Sequence, residues 1–209
     1  SPPALLKTAS HDLSRFASCY EKRTKRGGFM VWFWYFLIYS FLGFLVEVAY
    51  VRLVGGVKRD RKCRLVLPIC PVYGLGALAI LLLPPLVQDS LPLLFPAAAR
   101  VCTAVGYVTG LFYEKVCRVS VWDYSHLPLN LGGRVCLLFA LFWGVLALLV
   151  LHVIHPAAAW LAARIPLWAF PPAVLATALD TLLTARLLRR TGDPNSLRWY
   201  ARLPRRRPA

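Results

Sequence analysis

Residues 30–53 read MVWFWYFLIYSFLGFLVEVAYVRL, with Glu47 as the single acid and no base before Arg52. A helix needs about 20 mostly apolar residues to span the hydrocarbon of a bilayer, and this stretch supplies them. Trp32, Phe33, Trp34 and Tyr35 crowd its start, as the aromatic belt at a membrane interface would. Four further stretches qualify, at about Leu67–Val87, Phe95–Lys115, Val135–Val153 and Trp168–Leu188. Their prolines fall near entries and exits: Pro68 and Pro71, then Pro84-Pro85, and Pro171-Pro172. Proline suits a first helical turn and disrupts an interior. The pattern predicts an all-α, polytopic integral membrane bundle of about five transmembrane helices.

Composition agrees. The 209 residues are 58% hydrophobic and 16% charged, against roughly 25% charged in a soluble domain. The formal charge of +16 is uneven, with +4 in residues 1–29, +5 in residues 30–185 and +7 in residues 186–209. Three regions follow: a basic N-terminal segment (1–29), a transmembrane domain (30–190) and a basic C-terminal tail (191–209). In the first, Leu5, Leu6, Ala9, Leu13, Phe16, Ala17 and Tyr20 recur at helical spacing, which predicts an amphipathic helix on the membrane surface. This segment has no continuous apolar core, so no cleavable signal peptide is expected. Basic residues that flank apolar runs orient helices and attract anionic headgroups. They do not form the stripe along a folded face that nucleic acid would require. The six cysteines show neither a C-x-x-C pair nor a zinc-finger histidine, so no metal and no cofactor are expected.

Counting Lys and Arg places 17 on one face and eight on the other. The positive-inside rule then puts the C-terminus in the cytoplasm of a multi-pass plasma-membrane protein. Five spans leave the N-terminus outside, against its own six positive charges.

Five spans also bring one set of span ends to one side, and the unusual polar residues sit there. They are Glu47 near the end of span one, Cys70 and Tyr73 entering span two, and Glu114 closing span three. The loop that follows holds Trp122, Asp123, Tyr124, Asn130 and Arg134, and Asp180 lies two turns before the end of span five. A carboxylate inside a span costs about 2.5–3.5 kcal/mol on insertion scales, so it turns inward, pairs, or meets water. Arg134 is the expected partner of Glu47, with residues 122–125 folded over the pair. An ion-pair network that only fixes packing is the alternative. His152 and His155 fall at the other end of span four and read as interfacial.

In order along the chain stand Tyr39-Ser40-Phe41-Leu42-Gly43-x-x-x-Glu47, Pro68-x-Cys70-Pro71-x-Tyr73-Gly74, Tyr107-x-x-Gly110-x-x-x-Glu114, Trp122-Asp123-Tyr124-Ser125, Asn130-x-x-Gly133-Arg134, Phe142-Trp143-Gly144 and His155-Pro156. Together they resemble the family called putative ABC-transporter type IV, over about residues 35–156. The chain departs from it at Gly106, where that family usually carries Glu. The resemblance implies a permease-like transport subunit, acting as a homodimer or with a separate ATPase subunit. The chain itself lacks the G-x-x-x-x-G-K-[ST] phosphate loop. Two other functions fit the same residues. One is a membrane-embedded enzyme acting on a lipid headgroup, with Glu47 or Glu114 as acid–base. The other is an assembly or regulatory protein that does not transport.

Overall fold

The computed structural model describes residues 28–54 and 63–197. The expected amphipathic helix, most of the basic 58–64 run and the Arg-rich C-terminal end lie outside the described residues.

Helix α1 (Gly28–Val54) runs unbroken for 27 residues. Among the described residues, four helices are long and apolar enough to cross a membrane: Gly28–Leu53, Leu91–Cys117, Leu137–Arg164 and Leu167–Thr191. The second apolar stretch differs from expectation. Only Pro71–Leu81 is a long regular helix there (α2), with Pro71 at its first turn, and it has 11 residues. At 1.5 Å per residue that is about 16 Å, roughly half the hydrocarbon thickness. The prolines that flank it set both limits. Pro84 and Pro85 start a single turn, α3 (Pro85–Gln88), and the Gln88 Nε2 donates to the carbonyls of Leu81 and Leu83 at 3.1 and 2.6 Å.

Helix α4 (Leu91–Phe112) continues into a π turn, Tyr113–Cys117, that ends at Arg118 in the left-handed region. A two-stranded hairpin follows, β1 (Asn130–Leu131) against β2 (Val135–Cys136). Helix α5 (Leu137–Leu149), a π turn (Val150–Ile154) and α6 (His155–Arg164) then form one continuous rod. Pro156 does not end it. Proline lacks an N–H and clashes with the carbonyl four residues back, and the wider π turn lies at that point. His155 therefore lies within the rod, against the rings of Tyr35 and Tyr39. Helix α7 (Phe170–Thr191) is capped by Gly192 at φ 62°, and a short 3-10 turn (Pro194–Leu197) ends the described part of the chain.

Helix α2 runs antiparallel to α1 at very short range. A Cβ on Gly74 would strike the Ser40 hydroxyl and the Phe36 carbonyl, and one on Gly43 would strike the Tyr73 ring. Helices α4 and α5 pack beside α2. At one end of the bundle α6 joins α1 through Ala158, Ala159 and Ala162, with Tyr35 and Tyr39 buried among them. Ends α1, α4 and α7 gather at the other end together with the hairpin. This is the loop end.

Candidate functional site

Backbone that leaves a helix within a membrane must find its hydrogen bonds inside the protein. Residues 63–70 meet that demand on α7 and α1. The backbone N–H of Leu65 donates to the Thr184 hydroxyl at 3.0 Å, and that of Val66 to the Asp180 carboxylate at 2.8 Å. Arg64, buried, donates to the Thr181 hydroxyl. The Cys70 N–H donates to the Ser40 carbonyl at 2.8 Å, halfway along α1. The polar stripe of α7 is thus a suture for a non-helical segment. Asp180 belongs to it and stands apart from the other acids. Arg64, which the charge count assigns to a surface loop, lies within it. Nearby, the Sγ atoms of Cys63 and Cys70 approach to 2.8 Å without forming a disulfide.

On the other side of this segment a cavity of about 740 Å³ occupies the loop end. Seven of the ten predicted residues line it: Glu47, Cys70, Tyr73, Trp122, Asp123, Tyr124 and Arg134. Glu47 accepts a hydrogen bond from the Tyr73 hydroxyl at 2.9 Å. Tyr73 in turn tilts against Trp143, ring centroids 4.8 Å apart. Beyond that pair a narrow apolar space of about 50 Å³ continues toward Tyr39, whose hydroxyl shares a 2.9 Å hydrogen bond with the His155 Nδ1.

Arg134 does not turn to Glu47. Its guanidinium pairs with the Glu114 carboxylate, Nε to Oε2 being 3.0 Å, and sits 5.3 Å over the Tyr107 ring. The reason is local. Glu114 lies on the π turn directly below the hairpin, and Gly110 leaves ordinary contact distance for Trp122 and Arg134. The loop is built to this anchor. The Trp122 Nε1 donates to the Arg134 carbonyl at 2.9 Å, and the Tyr124 N–H to the Gly133 carbonyl at 2.8 Å. Gly132 and Gly133 take φ of 59° and 69°, where a side chain is strained. Asn130 staples the turn, donating to the Leu127 carbonyl at 2.8 Å and accepting from the Gly133 N–H at 3.1 Å. Asp123 accepts from the Ser125 N–H at 2.8 Å, and that bond holds its carboxyl below the ordinary range. Asn130 and Glu114 therefore brace the cavity's cover without lining the cavity.

Sequence reasoning passed over Cys63 and the aromatic residues Tyr50 and Phe139, which also line the cavity, and over Arg64 and Ser40, which hold the segment beside it. Tyr50 and Phe139 carry a signal only in retrospect, one α1 turn after Glu47 and one α5 turn before Trp143.

Four long apolar helices in an all-α bundle define a polytopic helical membrane protein. The sequence profile of the family described as Putative ABC-transporter type IV matches residues 34–185, and the chain belongs to that family. No curated protein and no solved structure matches the chain. Family and fold together make it a multi-pass, transport-related membrane protein.

Proposed function

We propose that this chain is a permease-like subunit in which the loop-end cavity receives solute from the cytoplasm. The observation that carries the proposal is the chamber itself: about 740 Å³, within the 300–1,000 Å³ typical of small-molecule sites, and walled partly by unwound backbone. Discontinuous helices at a midplane site recur in transporters. Residues 63–70 with α2 make a second crossing of that broken kind, giving five. The Lys and Arg excess supports a cytoplasmic loop end and C-terminus. Tyr73–Trp143 and Tyr39–His155 are the closure toward the opposite side. Five crossings are few for a complete path, so a second copy is expected, and ATP would be bound by a separate subunit.

Sided labelling tests this. In a cysteine-free background, a cysteine at Thr103 or Ala140 should react with a membrane-impermeant maleimide from the cytoplasmic side. One at Ala159 should not react from that side. Reaction of Thr103→Cys from the external side only, or from neither side, defeats the proposal.

A further inference from the structure

The non-helical stretch from Cys63 to Cys70 is held near both ends. Arg64, Leu65 and Val66 are tied to Thr181, Thr184 and Asp180 on α7, and the Cys70 N–H donates to the Ser40 carbonyl of α1. Between those anchors the first and last residues of the stretch meet, with the Sγ atoms of Cys63 and Cys70 at 2.8 Å. A disulfide needs about 2.05 Å, so roughly 0.8 Å of closure joins them. The two thiols differ in access. Cys63 is half-buried, whereas Cys70 is 3% exposed. Zinc suits this pair poorly. Two sulfurs at about 2.3 Å from a tetrahedral zinc stand about 3.8 Å apart, and among the described residues no three His, Cys, Asp or Glu side chains gather to hold an ion.

We infer that Cys63 and Cys70 are a redox-active dithiol that exchanges with small-molecule disulfides, Cys63 attacking and Cys70 resolving. Such exchange proceeds by attack of a thiolate on a disulfide sulfur, through a mixed disulfide. The Cys63 thiolate, its proton given to water, attacks one sulfur of a small disulfide R–S–S–R. That S–S bond breaks, the first thiolate leaves and takes up a proton, and Cys63 holds the remaining R–S group. The Cys70 sulfur then attacks the Cys63 sulfur. The second thiolate leaves with the Cys70 proton, and the Cys63–Cys70 bond forms. The dithiol is oxidised by two electrons, and the small disulfide is reduced to two thiols. Redox-sensing cysteines pair an accessible thiol with a resolving one, which is the asymmetry of this pair. The new bond closes residues 63–70 into a ring. Both cysteines line the loop-end cavity, so oxidation fixes that part of its wall whether or not the cavity carries solute. In a reducing compartment disulfides of this kind are transient and redox-sensing.

Oxidised glutathione is the probe. The full-length protein in detergent is reduced, freed of reductant, treated with the probe and digested for mass spectrometry. Trypsin cleaves after Arg64, between the two cysteines, so their peptides stay together only when a disulfide joins them. The expected product is that linked pair, two hydrogens lighter than the reduced peptides together, with no glutathione on either and with dithiothreitol restoring both thiols. Cys102, Cys117 and Cys136, each no more than 3% exposed, should stay reduced. Cys70→Ser should keep one glutathione on Cys63. In Cys63→Ser, Cys70 should react at least tenfold more slowly than Cys63 does in Cys70→Ser. A parent protein that keeps glutathione on Cys63, leaves both thiols unreacted, or links either one to a different cysteine overturns the dithiol. Equal reaction rates in the two variants overturn the assignment of attacking and resolving thiols. The parent protein decides whether the pair couples even if neither variant folds.

Discussion

At the end away from the loop, α1 and α6 touch through Ala158, Ala159 and Ala162, and Tyr39 is hydrogen-bonded to His155. At the loop end α1 and the same continuous rod, now α5, stand apart across a chamber of about 740 Å³. The residues facing each other explain the contrast. Small side chains allow helices to approach closely in a membrane, where packing rather than hydrophobicity drives association. At the loop end the facing residues are Glu47 and Tyr50 against Phe139 and Trp143. One pair of helices can therefore be tight at one end and open at the other, with no hinge residue required.

The contrast breaks most severely if the tight packing is overfilled. Gly74→Ala places a methyl 2.6 Å from the Phe36 carbonyl and against Ser40, with backbone that cannot rotate away. We expect a loss of about 3 kcal/mol, the upper part of the overpacking range, read as a large fall in melting temperature in detergent. Gly28→Ala, with nothing within 4 Å of the added carbon, is the control and should show no such fall.

Removing the suture should come next. Asp180→Ala strands the Val66 N–H, at a cost of about 1–3 kcal/mol for an unsatisfied buried group. Asp180→Asn keeps an acceptor and should lose less. Mild oxidation with copper–phenanthroline should couple Cys63 to Cys70 in the parent chain, by loss of two protons and two electrons to the oxidant. The yield should drop in Asp180→Ala, because the non-helical segment is no longer pinned. Mass spectrometry of the 63–70 region reads both.

A smaller effect is expected at the loop anchor. Arg134 and Glu114 are 22% and 29% exposed, and solvent screening leaves such a pair a small share of the stability. A double-mutant cycle of Glu114→Gln and Arg134→Gln should return a small but measurable favourable coupling. A coupling near zero together with an unchanged cavity would mean that Trp122 and the hairpin seat the loop unaided. The smallest change is predicted for Gly106→Ala. It faces open chamber and should stay within about 0.5 kcal/mol of the parent, as substitutions outside packed features do.

Hydropathy and parity made much of this legible. The long helices and the gathering of Glu47, Tyr73, Arg134 and the 122–124 loop at one end follow from span ends alone. What hydropathy could not register is conformation within an apolar run. Leu65–Pro68 is as greasy as a helix but is irregular and bent, and only Pro68 and Pro71 hint at it. Asp180 was visible as an acid in a span, yet its partner is a backbone N–H, which no pattern of side chains reveals. Position at the span ends pairs Arg134 with Glu47, but the π turn after α4 brings Glu114 under the hairpin instead. His155 falls at the end of the apolar run, and a π turn carries the helix on through Pro156.

The central claim is that water reaches the loop half of the bundle and not the other half. Hydroxyl-radical footprinting of the protein in lipid nanodiscs reads this residue by residue, since a ring is oxidised only where water touches it. Tyr50, Tyr124, Phe139 and Trp143 should be modified, while Tyr35 and Tyr39, each 3% exposed, should be spared. Equal protection of both sets, or oxidation of Tyr35 and Tyr39 ahead of the cavity rings, would contradict the account.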